Sequence, residues 1–450
     1  MGLIHKAYGN ITVVKVLRGQ RRAAHMSAER LRSLRDARVR DTVSYAAKTV
    51  PFYAAFFKRE RLDPREIKTA EDLACLPLVT QDDVRADPLK FVSASRQTKS
   101  ALLFHTSGST GIPLDIYHDK KSFLQNIAYG ERERAVLKRL VKGSIGRGRK
   151  PRSAFISYPG NTLGKVRAAY RDMTFIPNRP EVFDISLYDS IEDNIKALND
   201  LKPDVVGTYG SYLDLLFREA RSRGLKFHLP RVFIYGSDNL SDEIKELIER
   251  EYKVPVLSLY NAMEAFKIAF TCEERGGFHI HDDLCHLRII TADGSPAPAG
   301  TAGRIVVSNL VNRATVLLNY AIGDMGSLAT GPCRCGSALP VLQNLEGRVD
   351  DFILAPDGRL IHPRLIWRAF ASRSDVLQYQ FVQRMTDGFE LKIIAGDRNA
   401  YERVISDIIS DLRSTLGKSA KIEAAYCEKI ERSAGGKLRP VMPLIGKRIR

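Results

Sequence analysis

From residue 203 the chain alternates short apolar runs with amphipathic stretches. DVVGTY reads as a strand, SYLDLLFREARSRG as a helix, RVFIYG as a strand, SDEIKELIEREY as a helix and VPVLSLY as a strand. β-Branched runs separated by helical periodicity predict a parallel sheet, and such a sheet gathers ligands at the carboxyl ends of its strands. Residues 27 to 48, SAERLRSLRDARVRDTVSYAAK, space their apolar positions at helical intervals behind Ser27 as a cap, so a long amphipathic helix is expected, ended by Pro51. After about 285, HLRIITADGSPAPAGTAGRIVVSNL turns to strands broken at DG and PAPAG. The C-terminal stretch changes again: QYQFVQRMTDGFELKIIAG forms a hairpin around Thr386, Asp387 and Gly388, followed by the helix YERVISDIISDLRSTLG and the strand KIEAAYCE.

The pattern is that of an α/β protein in two parts. Residues 1–346 form a large domain with doubly wound sheets and a β-rich subdomain at about 270–346, and 347–450 form a small α+β domain. A length of 450 residues calls for more than one domain, and 44% apolar composition is enough for proper cores. No run approaches the ~20 apolar residues that span a bilayer. The start, MGLIHKAYGNITVVKVLRGQRR, lacks the unbroken apolar core of a secretory signal, so a cytoplasmic protein is expected.

A net charge of +18 favours anionic partners: nucleotides, a coenzyme, a membrane surface or nucleic acid. Much of it sits in the N-terminal arm and in KRLVKGSIGRGRKPR (138 to 152), where a solvated basic face explains it as well. Few aromatics interleave with the basic runs, and no recognised binding module is present, so no specific nucleic-acid or transmembrane partner is expected.

Chemistry enters with HTSGSTGIPLDIYHD, from His105. No lysine follows Gly111, and the exit alternates like a strand, which excludes the strand–GxxxxGK[ST]–helix of P-loop enzymes. The element is therefore strand–loop–strand. Its hydroxyls at Thr106, Ser107, Ser109 and Thr110, and the backbone N–H groups of Gly108 and Gly111, can curl around an anion. An ordinary polar loop reads the same way in isolation. The cysteines add a second candidate: of Cys75, Cys272, Cys285, Cys333, Cys335 and Cys427, four fall between 272 and 335, near His279, His281 and His286. Cys333 and Cys335 on a GPCRCG turn make half of a metal site, and spacing alone does not choose the other half.

Further motifs follow in order: YGSDNL (235 to 240), YNAMEA (260 to 265), NYAIGD (319 to 324), GRVDD (347 to 351) and ERSAGGKLR (431 to 439). With TSGSTGIP, this ordered set resembles the adenylate-forming superfamily of acyl- and aryl-CoA ligases. RDTVSYAAKTVPFYAAFF followed by EDLACLPLVTQDDVR is similar to the start of its phenylacetate–CoA ligase-like branch, which includes capsule-biosynthesis homologues. The resemblance spans nearly the whole chain. It implies ATP-dependent adenylation of a carboxylic acid, then transfer of the acyl group, with coenzyme A as the expected acceptor and an amine or hydroxyl as the alternative. Residues 1–346 become the adenylation core and 347–450 a mobile lid.

By that resemblance Thr106, Ser107, Gly108, Ser109, Thr110 and Gly111 cradle the β- and γ-phosphates of ATP, and Glu264 holds Mg²⁺, a hard cation suited to carboxylate oxygen. Ser237, Asp238, Asn239 and Tyr260 wall the adenine, with Asn261 a further ATP/AMP-binding residue. Asp324 and Arg348 bind the ribose, Asp350 is the hinge, and Lys437 reaches in for adenylation and then withdraws. Tyr158, Tyr209, Tyr235, Met263 and Phe266 could line an apolar pocket for an aryl or medium acyl chain, or be plain core. The same resemblance selects Cys272, His279, Cys333 and Cys335 as a closed, structural zinc site stapling the loops near NYAIGD, with reduced buried cysteines as the alternative. A homodimer is left open. Three positions depart from the family pattern: Ile112 where many relatives carry lysine, and Asn261 and Met263 in place of glycine and Ser/Thr before the glutamate.

Overall fold

The computed structural model describes residues 3–23, 26–95, 101–106, 114–141, 151–176, 181–348, 353–361, 363–370, 373, 375–432 and 438–444. The chain falls into two compact units. One comprises Met1–Lys142, Thr162–Arg179 and Ser258–Leu345, the other Gly143–Asn161, Pro180–Leu257 and Glu346–Arg450.

The first unit is built on antiparallel strands in the order Cys285–Ile290, Gly303–Asn309, Tyr320–Leu328, Val341–Arg348, Phe278–Ile280, Phe266–Thr271 and Val256–Ala262. Tyr260, Ile268, Ile280, Leu287, Ile305, Val307 and Tyr320 from these strands bury one continuous core. Beside it runs the expected helix, Ala28–Thr49. Ser27 accepts a hydrogen bond from the Arg30 N–H at 3.2 Å, satisfying one of the N–H groups left over at a helix start. Val50 is extended, as a residue before proline should be, and Pro51 opens the next helix, Pro51–Glu60. Val39, Val43, Ala46, Tyr53 and Phe57 form the core between the two.

The N-terminal arm is itself a helix, Leu3–Ala23, which the sequence pattern did not announce. Its contact face is small: a Cβ on Gly9 would lie 2.0 Å from the Met173 carbonyl oxygen. Packing of this kind comes from close backbone approach, and a scan for large apolar residues passes over it. Val13 joins Phe104, Phe123, Tyr170, Met173 and Phe266 in a separate cluster. Under the same unit lies a buried ionic network. Arg132 donates to both oxygens of Asp283 at 2.9 and 3.1 Å, and Tyr129 donates to Asp283 at 2.6 Å.

The second unit carries the expected parallel strands in the order Val232–Gly236, Val205–Tyr209, Arg152–Ser157 and Glu181–Ser186. Helices Ile191–Leu201, Gly210–Ser222 and Asp242–Arg250 cover it. The first and last are capped by Ser190 and Ser241, each accepting from the N–H three residues on. The C-terminal module is a four-stranded sheet in the order Lys421–Tyr426, Gly388–Ala395, Val376–Gln383 and Val441–Met442, packed on the helix Arg398–Leu416. The hairpin expected at Thr386–Gly388 is formed, and Phe381, Leu391, Ile393, Ile408 and Leu412 fill a core of its own.

Candidate active site

Strands Leu102–His105 and Asp115–His118 pair antiparallel and frame the serine- and glycine-rich loop, so the strand–loop–strand reading holds. Thr106 and Leu114 close its mouth. The Thr106 N–H donates to the Leu114 carbonyl at 3.0 Å, and the Leu114 N–H donates back to Thr106 Oγ1 at 2.9 Å. His105 Nδ1 lies 2.8 Å from Asp115 Oδ1 across the hairpin, with both side chains about half exposed. Ser107, Gly108, Ser109, Thr110, Gly111 and Ile112 lie outside the described residues, as do Asp350, Lys437 and most of the basic 138–152 segment. Arg348 closes a strand, and its side chain is likewise outside the description.

Around YNAME and NYAIGD the same unit assembles a polar cluster. Glu264 is buried, its Oε1 accepts from the Tyr320 hydroxyl at 3.0 Å, and its backbone carbonyl accepts from Asn309 Nδ2 at 3.0 Å. Four residues earlier, Tyr260 donates its hydroxyl to Asp324 Oδ2 at 2.6 Å. Tyr320 and Asp324 belong to one strand, Tyr320–Leu328, so that strand fixes both the candidate metal carboxylate and the candidate ribose carboxylate. Asn319 leads into it with φ 54, a left-handed turn that asparagine tolerates, and its Nδ2 donates to the Leu76 carbonyl at 2.7 Å. Asn261 is exposed.

Sequence reasoning overlooked His118. Fully buried at the end of the hairpin, its Nε2 lies 2.7 Å from the Met263 carbonyl and its ring centroid 4.1 Å from that of Phe266. Burial lowers its pKa to about 4, with the Met263 carbonyl and Asp119 opposing the shift. Phe266 holds φ 58, a costly backbone for a bulky residue, in the turn that presents Glu264. Met263 and Phe266 both pack with Phe104, Phe123 and Leu124, so an apolar cluster holds the residues on either side of Glu264 in the chain.

In the second unit the 237–239 loop leaves the carboxyl end of the strand Val232–Gly236, where a parallel sheet offers its ligand site. Ser237 is exposed and left-handed at φ 74. Asp238 accepts from the Ser211 N–H at 3.2 Å and from Ser211 Oγ at 2.5 Å. This close seating depends on Gly210, whose hypothetical Cβ would fall 2.4 Å from the Asn239 carbonyl carbon. Tyr158 and Tyr209 face each other with ring centroids 6.3 Å apart, and Tyr235 packs against the same core as both.

Cys272, His279, Cys333 and Cys335 place their ligand atoms within 4.8 Å of one another. Cys272 Sγ is 3.6 Å from Cys333 Sγ, and Cys335 Sγ is 3.4 Å from His279 Nε2. A tetrahedral ion with Zn–S and Zn–N bonds of about 2.3 and 2.0 Å requires ligand–ligand separations near these. Burial and the neighbouring thiols push Cys272 up to about 12, so thiolates here call for a cation. His281, Cys285 and His286 take other roles: His281 Nε2 lies 3.4 Å from Glu133, Cys285 is core, and His286 Nδ1 is 2.7 Å from Asp282 Oδ1.

Known proteins share this architecture. A crystal structure of 2-hydroxyisobutyryl-CoA ligase in the postadenylation state has a TM-score of 0.71 at 19% identity, covering 94% of this chain and 91% of that one. The fold is that of the adenylate-forming enzymes. In sequence, a phenylacetate-coenzyme A ligase of Thermus thermophilus is 25% identical over 448 residues, covering 92% of this chain and 97% of the relative. Protein CapK of Staphylococcus aureus is 24% identical over 420 residues, covering 90% and 88%. Residues 353–443 match the family model of the CapK C-terminal domain. Over nearly its whole length the chain is thus similar to the phenylacetate–CoA ligases and CapK, and its C-terminal module matches the CapK C-terminal domain.

Proposed function

We propose that the protein is an ATP-dependent ligase that converts an aryl or acyl carboxylic acid to its acyl-adenylate, releasing pyrophosphate, and transfers the acyl group to coenzyme A. The observation that carries the reading is the pairing of Tyr260 with Asp324 and of Tyr320 with Glu264. A single strand thereby fixes two carboxylates beside an apolar cluster. In the first half-reaction a substrate carboxylate oxygen bonds to the α-phosphorus as the bond to the β-phosphate breaks. In the second, a thiolate displaces AMP from the acyl carbon. Neither needs a protein nucleophile, so the chain supplies positioning and charge.

Each side chain has its own part in this scheme. Thr106 holds the base of the 107–111 phosphate loop, and the 237–239 loop with Tyr260 walls the adenine. Asp324 and Arg348 take the ribose hydroxyls. Glu264 is a buried carboxylate of the type a hard cation selects, and bound Mg²⁺ would neutralise the phosphate oxygens there. Lys437 serves the adenylation step on a lid of residues 347–450 that turns about Asp350 between the half-reactions. The four-ligand Cys/His cluster fits a closed zinc site, a staple beside the strands of the core. None of the described helices is long and apolar enough to cross a membrane, and a cytoplasmic location is part of the proposal.

ATP–pyrophosphate exchange across a panel of aryl, fatty and amino acids, read with acyl-CoA formation, tests the proposal. Exchange without any thioester product would move the acceptor to an amine or hydroxyl. Absence of exchange with every acid would reject the adenylation itself.

A further inference from the structure

Arg432 lies in ERSAGGKLR, where the sequence drew attention only to Lys437; it is half-buried, and its Nη1 donates to Ser211 Oγ at 3.0 Å. The Ser211 hydroxyl passes the interaction on, donating to Asp238 Oδ2 at 2.5 Å while its backbone N–H donates to Oδ1 at 3.2 Å. A hydroxyl can accept one hydrogen bond and donate another, so guanidinium, serine and aspartate form a chain with consistent polarity. Burial pulls Arg432 below its ordinary value, and Asp238 with Tyr212, Tyr209 and Tyr188 opposes that. Tyr379 of the module's strand Val376–Gln383 is partly buried and lies near Asp214 and Arg218, which belong to the helix Gly210–Ser222 that carries Ser211. Ser211 and that helix therefore meet the C-terminal module at two places.

Two of the partners already have roles in the proposed site. Asp238 stands in the 237–239 loop, and Tyr209 ends the neighbouring strand. Arg432 precedes Lys437 by five residues, a span that reaches at most about 18 Å when extended. While Arg432 is seated on Ser211, chain length alone keeps Lys437 within that span of Arg432. Movement of the lid requires the seat to break.

We propose that Arg432 is a positioning residue that seats the C-terminal module on Ser211 and Asp238 for adenylation and lets go for the thioester step. This rests on the function proposed above and adds the residue that makes the seating specific to one half-reaction. Removing one partner of a charge-assisted hydrogen bond loses the contact and leaves the other group unsatisfied.

The test compares Arg432→Ala and Arg432→Lys with the parent protein in three readouts. ATP–pyrophosphate exchange should fall by roughly tenfold or more in Arg432→Ala, with partial rescue by lysine, and thioester formation from supplied acyl-adenylate and coenzyme A should change by less than about twofold. Hydrogen exchange in the protein without substrates should rise at Val441–Met442 and at the start of Gly210–Ser222, while the unfolding midpoint stays within about 2 °C. Equal loss in both half-reactions would overturn the proposal, as would unchanged hydrogen exchange. If the parent protein activates no acid, the function fails, and the hydrogen-exchange result still decides whether Arg432 holds the module.

Discussion

The Tyr260 hydroxyl donates to Asp324 Oδ2 at 2.6 Å, joining the strand that leads to Glu264 to the strand that carries NYAIGD. A carboxylate held this way presents its remaining lone pairs in a fixed direction. Tyr260→Phe keeps the ring and removes the donor. The expected result is an increase in the KM for ATP of roughly tenfold, the scale of one hydrogen bond to a charged group, with little change in the unfolding midpoint. Steady-state kinetics at varied ATP checks it, and an unchanged KM would detach Asp324 orientation from nucleotide binding.

Glu264 and Tyr320 form the second such pair, at 3.0 Å. Glu264→Gln should lower pyrophosphate exchange by about a hundredfold or more and flatten its magnesium dependence, because the amide is a poor ligand for a hard cation. Tyr320→Phe, which only frees the carboxylate to turn, should cost about tenfold. If the two variants lose activity equally, Glu264 acts through packing and not through a metal.

The Cys272, His279, Cys333 and Cys335 cluster predicts about one zinc per chain in protein prepared without chelator. Cys333→Ser should abolish it and lower the unfolding midpoint by roughly 5 °C or more. Metal analysis and a thermal melt read the two outcomes separately. Zinc far below stoichiometry in the parent protein would leave three reduced cysteines and a histidine in its place.

His118 provides a pH signature. Its folded pKa of about 4 lies below the ordinary histidine value, so the unfolded chain takes up a proton first as the pH falls. Stability from this group is full above about pH 6.5 and is lost progressively toward pH 4. Between pH 7 and pH 5 the loss amounts to roughly 2 kcal/mol. In His118→Gln the pH dependence over that window should shrink by this amount, measured by urea titration. Glu133 does not confuse the window: burial would raise it, but Lys267 and His281 hold it down at about 2, so its own contribution fades only below the usual carboxylate range.

Much of the second unit was legible because its signals are local. The runs from 203 to 260 alternate β-branched and helical periodicity, and they fold as written. The four members of the Cys/His cluster were not legible from spacing, since the cluster is made by register. His279 pairs with Val341, the residue that opens the strand after GPCRCG, and Thr271 pairs with Phe278, which brings Cys272 alongside. Tyr320 was in plain sight inside NYAIGD, but its bond to Glu264 depends on a contact across 56 positions that no local pattern encodes. His118 and Arg432 were passed over because a histidine at a strand end and an arginine in a motif noted for its lysine look solvated until their partners, the Met263 carbonyl and Ser211, are known.

The decisive measurement is ATP–pyrophosphate exchange with an acid panel, run beside Lys437→Ala. Acid-dependent exchange should appear in the parent protein, fall by about a hundredfold or more in the variant, and be followed by acyl-CoA when coenzyme A is added. Exchange that is absent with every acid, or that survives the lysine substitution undiminished, would contradict the assignment of this chain as an adenylating ligase with Lys437 in its site.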